Sequence, residues 1–136
     1  MSLYKTGGET IKLNHDCVRS ILLELEKNLT LNDGVTLYQL KDFETFKEYG
    51  YETSVYALTK LIEADFLNGS VSRADNKIDY IGVGSITWDG HQFLDNIRDN
   101  AVWSKTKDAV KSLSSVSLSI LSNVGESITK KLIGLE

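Results

Sequence analysis

The stretch Ile86-Thr87-Trp88-Asp89-Gly90-His91-Gln92-Phe93-Leu94-Asp95-Asn96-Ile97-Arg98 decides the fold of this chain. It follows Ile78 to Ile86, where Ile78, Tyr80, Gly82 and Gly84 alternate with Ile81 and Val83, the period of a strand. Ser70 to Arg73 supplies a partner strand, and Ala74-Asp75-Asn76-Lys77 is the polar tip between them. Thr87 then reads as the N-cap of an amphipathic helix. That helix is expected from Trp88 to roughly Lys111, with Trp88, His91, Leu94 and Ile97 facing inward, near Ile21 and Leu25. A hairpin strand that hands over to a capped helix is how the wing of many small winged-helix domains leads into the last helix.

Upstream, Cys17, Val18, Ile21, Leu22, Leu25 and Leu29 recur at helical spacing, so a helix is expected from Asp16 to Asn28. Asn14 suits its N-cap, and Asp16 suits the positive end of its dipole. Asn32-Asp33-Gly34 signals a turn. Leu37, Leu40 and Phe43 sit three apart and predict a short helix, while Glu44 to Glu48 fits either a helical or an extended reading. Gly50 punctuates, and Thr53 or Ser54 caps a helix to about Phe66 that buries Val55, Leu58, Leu61, Ile62 and Phe66. Before the first helix, Ile11 and Leu13 could add one short strand. After Trp103 the last helix is expected from Val116 to Leu132, with Leu113, Val116, Ile120, Val124, Ile128, Leu132 and Leu135 as its seam.

The expected fold class is α+β and mostly helical: a winged-helix-like domain with a small β-hairpin and a long C-terminal helical extension. The divisions are an N-terminal arm at residues 1–13, the winged-helix-like domain at 14–100 and the extension at 101–136. The single cysteine leaves no intramolecular disulfide framework. No apolar run is long enough to cross a bilayer, and the start carries no apolar leader core, so the expected setting is cytoplasmic, with no membrane partner.

Residues 1–97 carry nine Lys/Arg against fifteen Asp/Glu, a balance of −6, whereas residues 98–136 carry six against four, a balance of +2. Over the supposed reading surface, residues 52–79, Lys60, Arg73 and Lys77 face Glu52, Glu63, Asp65, Asp75 and Asp79, a balance of −2. Phosphate binding usually shows a basic face, so this balance counts against DNA.

No Ser/His/Asp or Cys/His arrangement stands out, and the expectation is a binding module without enzymatic activity or cofactor. His15-Asp16-Cys17 cannot converge on one ion from a helix start, so no metal site is expected. His91 reads as a structural histidine. Gly82-Val83-Gly84 lacks the third glycine and following helix of a phosphate cradle, and reads as a bulge or close strand packing. Trp88, Phe93 and Trp103 fit core spacing better than base stacking.

Residues 86–100 followed by Val102-Trp103 resemble a family of small bacterial and prophage proteins of unknown function, found mainly in Gram-positive organisms. Its pattern is Thr-Trp-x-Gly-His-x-Phe-Leu-Asp-x-x-Arg-Asp, then Val-Trp. Thr87, Trp88, Gly90, His91, Phe93, Leu94, Asp95, Arg98 and Asp99 all match it. The Gly50-Tyr51 step and the ending Lys131 to Leu135 are also similar. The resemblance implies a winged-helix-like fold and a phage-related setting, but no activity.

Two functions follow as expectations. A DNA-binding regulator would use Ser54, Tyr56 and Lys60 of the Thr53–Phe66 helix with Arg73, Asn76 and Lys77 of the wing on double-stranded DNA, and would form a homodimer through its tail. Alternatively, an accessory module would bind another protein through the same surface or the terminal helix.

Overall fold

The computed structural model describes residues 11–135. The elements are α1 (His15–Asn28), β1 (Val35–Thr36), α2 (Leu37–Leu40), α3 (Glu44–Tyr49), α4 (Tyr51–Glu63), β2 (Leu67–Ala74), β3 (Lys77–Ile86), α5 (Trp88–Ile97), α6 (Asn100–Val110) and α7 (Leu118–Leu132). The fold is α+β and mostly helical, with a small antiparallel sheet in the order β1-β3-β2 and a C-terminal helix. The short strand expected at Ile11 and Leu13 is absent, because residues 11–14 are neither helix nor strand. The rest of the expected N-terminal arm lies outside the described residues.

α1 is the central post. Asn14 caps it through Oδ1, which accepts from the Cys17 N–H at 2.9 Å. Val18, Ile21, Leu22 and Leu25 are fully buried, against Leu58 and Leu61 of α4 and Leu94 and Ile97 of α5 in one core. Each such side chain contributes about 1.5–3 kcal/mol by leaving water. The Glu24 carboxylate accepts from the N–H groups of Glu44 and Thr45 at 2.7 and 2.9 Å, and so caps α3 from outside its own helix. That external cap settles residues 44–48 as helical.

The hairpin turns at Asp75-Asn76, whose φ angles of 53° and 64° are those of a two-residue type I′ turn. α4 begins at Tyr51 after Gly50 and ends at Glu63, and the chain turns away just beyond it at Asp65, which takes φ 61°. Asn68 and Gly69 belong to β2.

The single helix expected from Trp88 to Lys111 is two helices. Asp99 accepts from the Val102 N–H at 3.0 Å and starts α6. Arg19 closes the end of α5, donating to the carbonyls of Ile97 and Arg98 and to Asn100 Oδ1. Those carbonyls would otherwise lack helical partners, so one guanidinium accounts for the break.

The inward placement of Trp88 and His91 is also corrected. Trp88 is 77% exposed and His91 is exposed, while Gly90, Phe93, Leu94 and Ile97 form the buried face. At about 100° per residue, the nine steps from Trp88 to Ile97 turn the helix through roughly 900°, which places Trp88 opposite Ile97. Steps of three alone conceal that drift.

α7 folds back on its own chain. Leu121 is buried, and a Cβ on Gly125 would stand 2.2 Å from the Asn96 carbonyl, so α5 and α7 touch backbone to backbone there. The expected seam is only partly used, since Leu113, Ile120, Leu132 and Leu135 stay exposed.

Candidate functional site

α4 buries Val55, Leu58 and Leu61 and turns Glu52, Tyr56, Lys60 and Glu63 outward, at helical spacing. The hairpin tip reaches beside this outer face. Between them runs an open cleft of about 650 Å³, lined along α4 from Tyr51 to Glu63 and on the hairpin by Arg73, Asn76, Lys77 and Ile78. Tyr56, Lys60, Arg73, Asn76 and Lys77, far apart in the sequence, thus share one surface.

Ser54 does not. It is fully buried, its hydroxyl donates to the Thr45 carbonyl at 3.4 Å, and the Cys17 thiol lies 3.9 Å from its oxygen. It ties α4 to α1 and α3, and its place on the reading face is withdrawn. The helix is capped at Gly50 and not at Thr53 or Ser54, and Ser54, four residues before Leu58 and seven before Leu61, lies on their buried face. Ala57, on the same side of the helix, is also fully buried.

The electrostatics of the cleft differ from the linear count. Lys60, Arg73 and Lys77 line it with Glu52 and Glu63, three cations against two carboxylates, whereas Asp65, Asp75 and Asp79 do not line it. Lys60 Nζ stands 3.1 Å from Glu63 and 5.2 Å from the Tyr56 ring centre. The hydrogen bond to Glu63 raises the Lys60 pKa, and the field of that carboxylate adds to it. Much of the Lys60 charge is therefore spent within the helix. Arg73 and Lys77 form no ion pair among the described residues.

The Thr87–Trp103 motif mostly frames the junction of α5, α6 and α1. Thr87 Oγ1 accepts from the Gly90 N–H at 3.0 Å and donates to the Asp65 carbonyl. Gly90 admits no side chain, because a Cβ would lie 2.1 Å from the Phe66 carbonyl oxygen. Phe93 stacks on Phe66 with ring centres 5.1 Å apart, and Leu94 is fully buried. Arg98 grips Glu26 through two hydrogen bonds of 2.6 and 2.8 Å, and also bonds Asp95. The Arg98 hydrogen bonds hold the Glu26 carboxyl below its ordinary pKa, against a smaller opposing effect of burial.

The Trp103 indole N–H donates to Asp16 at 2.8 Å, and Lys107 reaches the same oxygen at 3.0 Å. Burial pushes the Asp16 pKa up, but the bonds from Lys107 and Trp103 outweigh it and the net shift is downward. Asp16 thus turns to α6 while Cys17 faces Ser54, and burial raises the Cys17 thiol pKa. Among the described residues no group of three His, Cys, Asp or Glu side chains could hold a metal ion. No helix is long and apolar enough to cross a membrane among these residues.

A family model described as "Hypothetical protein (DUF2513)" matches residues 12–117. A relative from Haemophilus influenzae, described as "Uncharacterized protein", is 32% identical, covering 90% of this chain and 99% of its own length. No solved structure matches the chain.

Proposed function

The chain belongs to the DUF2513 family of hypothetical proteins, which brings no activity with it, and we propose from geometry that it is a non-enzymatic, winged-helix DNA-binding module. The observation that carries this reading is the convergence of α4 and the hairpin tip on one cleft with more cations than carboxylates. The order helix, strand, helices, hairpin and the sheet order β1-β3-β2 support it. In this proposal α4 enters a major groove, with Tyr56 and Lys60 toward the bases and Arg73, Asn76 and Lys77 on the flanking backbone. Because the cleft holds only a small excess of positive charge, binding is weak and its salt slope is shallow, since the slope grows with the number of phosphates neutralised. A cytoplasmic, phage-related regulatory role belongs to the same proposal.

Fluorescence anisotropy with a short mixed-sequence duplex at low and moderate salt tests it. Saturable binding at low salt that falls as salt rises is the expected result. No binding at low salt would end the DNA reading.

A second reading has one observation in its favour. Leu132, Ile133 and Leu135 are 55%, 65% and 69% exposed at the end of α7, an apolar cluster suited to another protein or to a second copy of this chain. We favour the second copy, since two short recognition surfaces bind DNA better when paired.

A further inference from the structure

We infer that the DNA face continues past the cleft to the corner between α2 and α3, where Lys41 makes a second phosphate contact at the opposite end of α4 from Arg73. This rests on the DNA-binding reading of the cleft. Two observations carry it. First, Lys41 is exposed and its ammonium lies 5.8 Å from the ring centre of Tyr51, and Tyr51 is itself a wall of the cleft. Second, Lys41 forms no ion pair among the described residues, unlike Lys47 and Lys60, which are held by Glu44 and Glu63.

The spacing suits duplex DNA. Arg73 stands close enough to Lys60 to act on its charge, which places it toward the C-terminal half of α4. Tyr51 and Lys60 are nine residues apart, roughly 14 Å along the axis. The major groove is about 12 Å wide, so cations at both ends of this face can reach the two backbones that border one groove. Neutralising phosphates on both borders would fix how α4 lies in the groove, a positioning role without base readout.

The test measures affinity for a short mixed-sequence duplex by fluorescence anisotropy across a salt series, using the full chain. Variants are Lys41→Ala, Lys41→Arg and Arg73→Ala, and circular dichroism confirms their fold. Each alanine variant should reduce the slope of log affinity against log salt by about one unit, while Lys41→Arg should keep the wild-type slope. Wild-type binding with an unchanged slope in Lys41→Ala, alongside a reduced one in Arg73→Ala, would overturn this inference and leave the cleft reading standing. Absence of wild-type binding at every salt concentration would overturn both.

Discussion

Gly90→Ala separates the packing described for α5 from ordinary helix propensity. Inside an exposed helix, glycine to alanine gains about 1 kcal/mol. Here the new Cβ would meet the Phe66 carbonyl oxygen at 2.1 Å and Ile86 Cγ2 at 2.8 Å, both well inside contact distance. One obstacle is backbone, so α5 must move by about 1 Å, and overpacking of this kind costs about 1–3 kcal/mol. The move would also disturb the Phe93–Phe66 stack and the cap from Thr87. The net expectation is a loss of about 2 kcal/mol, read as a fall of roughly 6–8 °C in Tm by scanning calorimetry. Gly84→Ala is the control, because its Cβ would meet nothing nearer than the Asn68 carbonyl at 3.8 Å. A Gly90→Ala protein as stable as the wild type, or more so, would refute the seating of α5 against Phe66.

Three further outcomes are expected. Trp103→Ala should cost about 3–5 kcal/mol, as for other buried aromatics, whereas Trp88→Ala should stay within about 0.5 kcal/mol; iodide quenching confined to Trp88 would confirm the difference and equal quenching would contradict it. Glu26 and Asp16 both have lowered pKa values in the folded chain, so their stabilisation is complete above the ordinary carboxylate range and is lost as pH falls below about 4, through the folded pKa values. Partial exposure moderates the effect, and Glu26→Gln should flatten the acid side of a Tm-against-pH curve, an unchanged curve counting against the Arg98 pair. Leu132→Asp with Ile133→Asp should convert a dimer to a monomer by light scattering, and a wild-type monomer at high micromolar concentration would remove the proposed self-association.

Much of the scaffold is legible in the sequence because single residues announce it. Asn14 and Thr87 are caps with a following apolar period, and Asp75-Asn76 is a hairpin turn. What escapes the sequence depends on partners distant in the chain. The two-residue β1 has no periodicity of its own and exists through its pairing with Gly82 and Val83 of β3. The break after Ile97 depends on Arg19, which lies 78 residues earlier. The cap on α3 comes from Glu24.

The candidate site divides in the same way. Tyr56, Lys60, Arg73, Asn76 and Lys77 can be assembled from the order of the elements, because a helix followed by a hairpin brings the tip beside the helix. Ser54 fails because it lies four residues before Leu58 and seven before Leu61, on their buried face, inside a helix that starts after Gly50 and not at Thr53 or Ser54. Lys41 and Tyr51 go unnoticed because no spacing rule links a helix-end lysine to an aromatic residue across a second short helix. The cleft's charge balance also needs three dimensions, since only the fold removes Asp65, Asp75 and Asp79 from its lining.

The most direct measurement is an amide chemical-shift titration of the labelled chain with a short mixed-sequence duplex at low salt. If α4 and the hairpin form the DNA face, shifts concentrate at Tyr51, Tyr56, Lys60, Arg73, Asn76 and Lys77 and fade as salt is raised. Shifts confined to α7 or to the surface around Trp88, with α4 and the hairpin tip unmoved, would contradict the assignment of this cleft as the site.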